Sequence, residues 1–305
     1  MAERKMHADE VDIDLELVRR LVADQFPDWA KLPVEPVLPW GTDNALYRLG
    51  EDMVVRLPRT ERTNGTLKRE REWLPRLSPH LPLEVPSPLA EGRAALGYPF
   101  EWSIYRWLEG EPVTDRPLAD LGQAVADLSG FVSALERLDA SDGPGPDEYN
   151  AFRGVPLIAR DEPVRKAIAS LASSIDVESV TGTWEEALHT PEWDSEPVWL
   201  HGDLDGRNLL VMDGRLSGVL DWGCLSVGDP ACDVMVAWKM FSGDAREAFR
   251  EALEVDKVTW ARSRGWALSQ ALIALGYYTM ETNAALVLEA ERWLAEVLAD
   301  YSSAA

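Results

Sequence analysis

The chain has 305 residues, 46% of them apolar, and a formal net charge of −23. That length holds two domains, or one large domain with two lobes, and enough apolar residues for a sizeable core. The acidity excludes the basic surface that nucleic acid requires; it either favours a cationic small molecule or serves solubility alone.

No run of 18 or more uncharged apolar residues offers a membrane span, and "MAERKMHADEVDIDLEL" holds no apolar signal core, so the expectation is a cytoplasmic protein with no membrane partner. Residues 13–26 carry apolar residues at helical spacing. "NALYRLGEDMVVRLPR" (44–59) reads as two strands joined through Gly50-Glu51-Asp52. "NGTLKREREWLPRL" (64–77) reads as a helix with Leu67, Trp73, Leu74 and Leu77 on one face. "LPLEVPSPL" (81–89) is a proline-broken connection, and "FEWSIYRWLEGE" (100–111) begins as a strand and turns at Glu109-Gly110-Glu111. A long helical pattern follows at 118–140, then a loop at 141–150 and further helices at 157–174 and 182–190. A hairpin over 208–221, with Asp213-Gly214 as its tight turn, interrupts them. Four helical stretches close the chain, near 230–241, 243–255, 257–277 and 282–300. A small strand-containing part, 1–108, thus precedes a larger and mostly helical part, 109–305. Cys224 and Cys232 have no metal-ligand spacing and read as buried thiols. His7, His80 and His189 are scattered without zinc-like spacing.

The chemistry concentrates in "HGDLDGRNLL" (201–210) and "VMDGRLSGVLDWG" (211–223). Asp203 and Asn208 are five residues apart, and Asp221 follows Asn208 by thirteen across the hairpin. If "NLLVM" and "LSGVL" pair, Asn208 and Asp221 share the open end of the ribbon, with Asp203 just before them. An amide oxygen and a carboxylate are hard ligands that suit Mg²⁺, together with substrate phosphates. Phosphoryl transfer needs this layout: one aspartate for the attacking hydroxyl, an asparagine and a second aspartate for the metal.

"HGDLDGRN" followed by "GVLDWG" resembles the aminoglycoside phosphotransferase family, which includes macrolide phosphotransferases and shares the protein-kinase-like fold. His201, Gly202, Asp203, Asn208 and Asp221 match its H-G-D-x-x-x-x-N loop and metal aspartate, which replace the H-R-D and D-F-G of protein kinases. The resemblance implies an α+β, bilobal fold: a small β-rich N-lobe, a hinge near 104–110 and a larger helical C-lobe. It implies an Mg²⁺-dependent kinase that moves the γ-phosphate of ATP or GTP to a hydroxyl of an aminoglycoside, a macrolide or a related metabolite. Asp203 is then the catalytic residue. His201 supports the loop, and Asp229 or Asp233 in "GDPACD" braces it. The family needs a cation on its third strand, paired with a glutamate on the next helix. Arg56 stands where a lysine is usual, with Glu70 as its partner and Glu72 as second choice. "PWGTDNALYRL" (39–49) takes the place of the nucleotide-covering loop without its glycine pattern; Gly41, Thr42, Asp43 and Asn44 form a turn whose amides can face phosphate, or a plain turn. Arg106, Trp107 and Leu108 fall at the hinge, where backbone groups read the base, although Trp107 also suits core packing. Arg207 either neutralises the transferred phosphate or pairs with a local carboxylate. The tryptophans after residue 180 are mostly core, with one or two available to an apolar acceptor. The acidic stretches 139–150 and 183–196 meet cationic groups or are solvated loops, and 277–283 lies where family members often contact substrate. Arg56 alone supports the alternative of a pseudokinase-like regulatory module that binds nucleotide without turnover. A helical binding protein without nucleotide would leave 201–221 unexplained.

Overall fold

The computed structural model describes residues 10–38, 43–116 and 118–304. By packing, the chain divides into two units: 1–110 with 217–223, and 111–216 with 224–305.

In the first unit, helix α1 (Leu15–Gln25) starts at Asp14, whose side chain accepts from the Leu17 N–H at 2.7 Å. Five strands form an antiparallel sheet: β1 (Val34–Pro36), β2 (Asn44–Leu49), β3 (Met53–Pro58), β4 (Pro88–Gly92) and β5 (Trp102–Arg106), in the order β1-β2-β3-β5-β4. Side chains alternate between the faces of a strand. Ala45, Tyr47, Leu49, Val55, Leu57, Trp102 and Ile104 therefore share one face and build a core with Val18, Leu21 and Val22 of α1. The same alternation sends Arg56, between Leu46 and Ser103, to the other face.

Helix α2 (Glu61–Leu77) is capped by Thr60, and its buried stripe runs Thr63, Thr66, Leu67, Glu70, Leu74, Leu77. Those spacings of three and four mark one helical face, and Glu70 lies in the middle of it. Leu67, Leu74 and Leu77 keep the register expected for 64–77, but Trp73 is only half-buried and off the stripe, and the helix begins three residues earlier. The returning segment 217–223 is tied to the unit by Glu84 N–H to the Ser217 carbonyl (3.0 Å) and Val219 N–H to the Glu84 carbonyl (2.8 Å). Trp222 is fully buried and donates to the Val219 carbonyl at 3.1 Å.

The second unit opens with β6 (Glu111–Pro112) and α3 (Leu121–Glu136), then α4 (Asp161–Ser170) and α5 (Val177–Leu188). β7 (Val198–Leu200), β8 (Leu209–Met212), β9 (Arg215–Val219) and β10 (Ser226–Gly228) follow, with the passage to the first unit inside β9 after Leu216. β6, β8 and β9 form one small sheet in that order; β7 and β10 pair antiparallel. Asp213 (φ 52°) and Gly214 (φ 79°) are both left-handed, as a two-residue hairpin turn between right-twisted strands requires. The stretch 230–241 is broken into α6 (Ala231–Val234) and α7 (Val236–Met240), and α8 (Gly243–Ala252), α9 (Lys257–Tyr277) and α10 (Ala284–Ala304) complete the unit. α9 is its central post: Trp266, Ala267, Leu268, Ala271 and Leu272 are all fully buried. Trp184, Trp199, Trp238 and Trp266 are core, as their number suggested.

Candidate active site

In the first unit the cation of β3 is surrounded. A terminal nitrogen of Arg56 donates to Glu70 Oε2 at 2.5 Å, the other to Asp221 Oδ1 at 3.0 Å. With its amide oxygen turned to the guanidinium, Asn44 accepts from Nε and a terminal nitrogen, both at 3.0 Å. Tyr105, from the neighbouring strand, donates its hydroxyl to Glu70 Oε2 at 3.2 Å. Glu70 is fully buried and Arg56 nearly so. A charge removed from water persists only with well-made partners; here two carboxylates and an amide supply them. Burial pushes the Glu70 carboxyl up to about 6, with Arg56 pulling it back. For Arg56 burial acts downward, but Glu70 and then Asp221 outweigh it and hold the guanidinium charged. Glu72 is exposed, so the pairing falls to Glu70.

Asp221 itself has φ 58°, an unusual conformation for a residue with a side chain, and its side chain is 45% exposed. Asp43 pairs with Arg62 at 2.7 Å; burial raises its carboxyl despite that arginine. Gly41 and Thr42 lie outside the described residues. At the expected hinge, Arg106 N–H donates to the Ser87 carbonyl (2.9 Å) and Trp107 N–H to the Asp52 carbonyl (2.8 Å). Both amides are thus committed within the unit. The Arg48 guanidinium lies 3.9 Å from the centre of the Trp107 ring, and Leu108 is buried.

The second unit builds the loop 201–208 from its end inwards. β7 finishes at Leu200, and the next two amides, His201 and Gly202, donate to Asp233 Oδ2 and Oδ1, both at 2.7 Å. Gly202 has φ 82°, and a Cβ there would stand 2.5 Å from the Cys224 carbonyl oxygen, so only glycine fits. His201 is fully buried and accepts the Asp203 N–H on Nδ1 at 3.2 Å, which makes it a loop support. Arg207 pairs with Asp205 inside the loop. Asn208 donates Nδ2 to the Asp203 carbonyl at 2.9 Å, so its amide oxygen is the end left to offer. Asp229, the other candidate brace, accepts from Arg262 of α9 at 2.8 and 3.2 Å and from the Ala231 N–H at 3.0 Å. This fastens the 229–233 segment, and with it Asp233.

Three residues of this surround were not singled out by sequence. Arg153 reaches Asp203 Oδ1 at 3.4 Å, and Lys239 Nζ stands 3.8 Å from the same oxygen and 2.7 Å from Gln270 Oε1. Burial pushes the Asp203 carboxyl up, but Lys239, then Arg153 and Arg207, outweigh it and hold it down to about 2. Lys239 did leave a signal: it is a lone charge within the apolar run "VMVAWKMF". Arg153, in a loop, left none. Tyr277 and Met280 of the 277–283 stretch are exposed.

Among the described residues no group of three or more histidine, cysteine, aspartate or glutamate side chains could hold a metal by itself. Mg²⁺ does not require one, since it keeps waters and takes one or two protein oxygens plus phosphate. The Asn208 amide oxygen and the half-exposed Asp221 carboxylate fit that demand in donor type.

Residues 36–266 match the model of the phosphotransferase enzyme family. The chain is 27% identical over 175 residues to the uncharacterized protein YcbJ of Bacillus subtilis (strain 168), a match covering 53% of this chain and about half, 51%, of that protein. It is 27% identical over 195 residues to viomycin phosphotransferase of Streptomyces vinaceus, covering 61% of this chain and 67% of the relative. Among solved structures, a GDP and kanamycin complex of an APH(2″) enzyme superposes with a TM-score of 0.73 at 18% identity, over 94% of this chain and 99% of that one. Macrolide 2′-phosphotransferases share the fold as well. With three quarters of its length matched by the family model, and with the α+β protein-kinase-like fold of these neighbours, the chain belongs to the phosphotransferase enzyme family.

Proposed function

We propose that the protein transfers the γ-phosphate of ATP or GTP to a hydroxyl of an antibiotic-like small molecule, an aminoglycoside or macrolide, or of a related metabolite. The observation that carries the reading is Asp203. It is a carboxylate on a loop braced by Asp233, with one oxygen held by cations and the Asn208 amide oxygen five residues on. Asp203 orients the acceptor hydroxyl. As that oxygen bonds to the γ-phosphorus and the bond to the bridging oxygen of the leaving diphosphate breaks, Asp203 takes the proton. The cations beside it keep the Asp203 carboxyl ionised and able to accept that proton. Arg56, kept in place by Glu70 and Asn44, grips the nucleotide phosphates with a planar fork. Asn208 and Asp221 would hold Mg²⁺, which would neutralise phosphate charge when bound. With the amides of Arg106 and Trp107 committed, base recognition at the hinge falls to Leu108 and to the carbonyls of the three residues.

The net charge of −23 supports a cationic acceptor, as do the relative named for viomycin and the similar structure that holds kanamycin; the macrolide enzymes support an apolar one. No helix among the described residues is long and apolar enough to cross a membrane, and the two cysteines form no disulfide, which supports a reducing, cytoplasmic setting. The test is a panel of aminoglycosides, viomycin, macrolides and simple amino alcohols with Mg²⁺ and ATP or GTP. Nucleoside diphosphate release matched by a phosphate-sized mass gain on one acceptor is the expected result. Failure of Mg²⁺-nucleotide to bind at all would overturn the reading.

A further inference from the structure

Lys239 is fully buried on α7, where an uncompensated ammonium would be strongly unfavourable. Its Nζ donates to Gln270 Oε1 of α9 at 2.7 Å and lies 4.7 Å from the ring centre of Trp293 on α10. Neither partner carries a negative charge. Among the described residues the carboxylate oxygen within ion-pair reach is Asp203 Oδ1, at 3.8 Å; the charges of Asp205 and Asp233 act on the ammonium from farther away. The Asp203 backbone needs no help from this lysine, because His201 fixes its N–H and Asn208 its carbonyl. Arg153 meets the same oxygen from the 147–154 loop, at 3.4 Å. That loop holds Ala151 (φ 53°) and Phe152 (φ 55°) in the left-handed region, a costly conformation that delivers Arg153 to this place. Both cations therefore act on Oδ1, and a carboxylate held by one oxygen has a fixed plane and presents the other.

We infer that Lys239, supported by Gln270 and acting with Arg153, is a positioning residue that pins Oδ1 of Asp203 so that Oδ2 faces the acceptor hydroxyl. The kinetic part of this inference rests on the phosphotransfer reading of Asp203; the pairing itself does not. Thermal melts of Asp203→Asn, Lys239→Met and the double variant test the pairing without any substrate. Asp203→Asn takes away the carboxylate nearest the buried ammonium, leaving the charges of Asp205 and Asp233 farther off, and lowers Tm by roughly 5–10 °C. Adding Lys239→Met recovers most of that loss, and Lys239→Met alone costs far less than Asp203→Asn. Strictly additive shifts would overturn the pairing. Lys239→Gln is carried in parallel, so the cycle stands if methionine does not pack. With an acceptor in hand, Lys239→Met lowers kcat roughly 10- to 100-fold, the scale of a small misplacement of a reacting group, while the nucleotide KM stays within about 2-fold. A purely structural lysine would move Tm and leave kcat per folded molecule unchanged. A coupled pair with unchanged kcat would overturn the positioning role while leaving the pair.

Discussion

Arg56 shows how much one residue type decides. Its three nitrogens are distributed over Glu70, Asp221 and Asn44, a pattern that a planar fork can make and a point charge cannot. Arg56→Lys should keep the charge but lose the Asn44 contacts. We expect nucleotide affinity to fall by roughly 10-fold, read by titration with Mg²⁺-nucleotide, since a charge-assisted hydrogen bond contributes about 1.5–3 kcal/mol. An unchanged affinity would show that the fork is not what grips the phosphates. Asn44→Ala should weaken nucleotide binding in the same direction and by less, because Glu70 still holds the arginine. Glu70 was legible in the sequence because it falls on the apolar stripe of α2, where a charge must have a partner. The sequence suggests a turn at Asn44, whereas it opens β2, and its side-chain role is not legible from the local sequence. Nothing local shows that the start of β2 lies two residues from the position opposite Arg56 in the cross-strand register.

At the scale of elements, the loop 201–208 depends on a helix it does not touch in sequence. Asp233 accepts two adjacent backbone amides at 2.7 Å, and Asp229 ties the same segment to α9. In Asp233→Asn one of the two amides would face an NH₂ group and be left buried and unpaired. The cost is about 1–3 kcal/mol, and faster amide exchange at His201 and Gly202, with loss of turnover, should accompany it. A second element-scale prediction concerns Glu136 at the end of α3. Its Oε1 is buried without a hydrogen-bond partner, and burial, with the Asp233 charge added, pushes the carboxyl up to about 8. A carboxyl raised in the folded state binds its proton more tightly there than when unfolded. Its contribution is therefore fully present below about 4.5 and is lost as pH rises through about 8. Glu136→Gln should thus be more stable than wild type by about 1–3 kcal/mol near pH 9 and no more stable near pH 4, by thermal or denaturant unfolding. The long helices and the 44–59 and 208–221 hairpins were legible because their apolar periods and turn residues are strong. β1, β4, β6, β7 and β10 were not read from the sequence, being two to five residues long and in three cases containing proline. The break between α6 and α7 was equally hidden, since no glycine or proline marks it.

For the whole molecule, the family model spans residues 36–266 and takes in every residue of the proposed chemistry, Arg56, Glu70, Asp203, Asn208 and Asp221. The sequence motif joins Asn208 to Asp221 across one hairpin, which is why the family was legible from about twenty residues. The acceptor was not, because specificity resides in side chains and loops that motif spacing does not constrain. Overall acidity is a property of the surface and speaks to attraction of cations; raising the salt concentration should therefore raise the KM of a polycationic acceptor and leave that of a neutral macrolide nearly unchanged. Asp203 is the residue on which the proposed transfer most directly depends. Wild type and Asp203→Ala should be compared for Mg²⁺-nucleotide binding and for turnover of the acceptor the panel identifies. The variant should retain nucleotide binding while its turnover falls by roughly 10²–10⁴-fold. Turnover within a few-fold of wild type would contradict it.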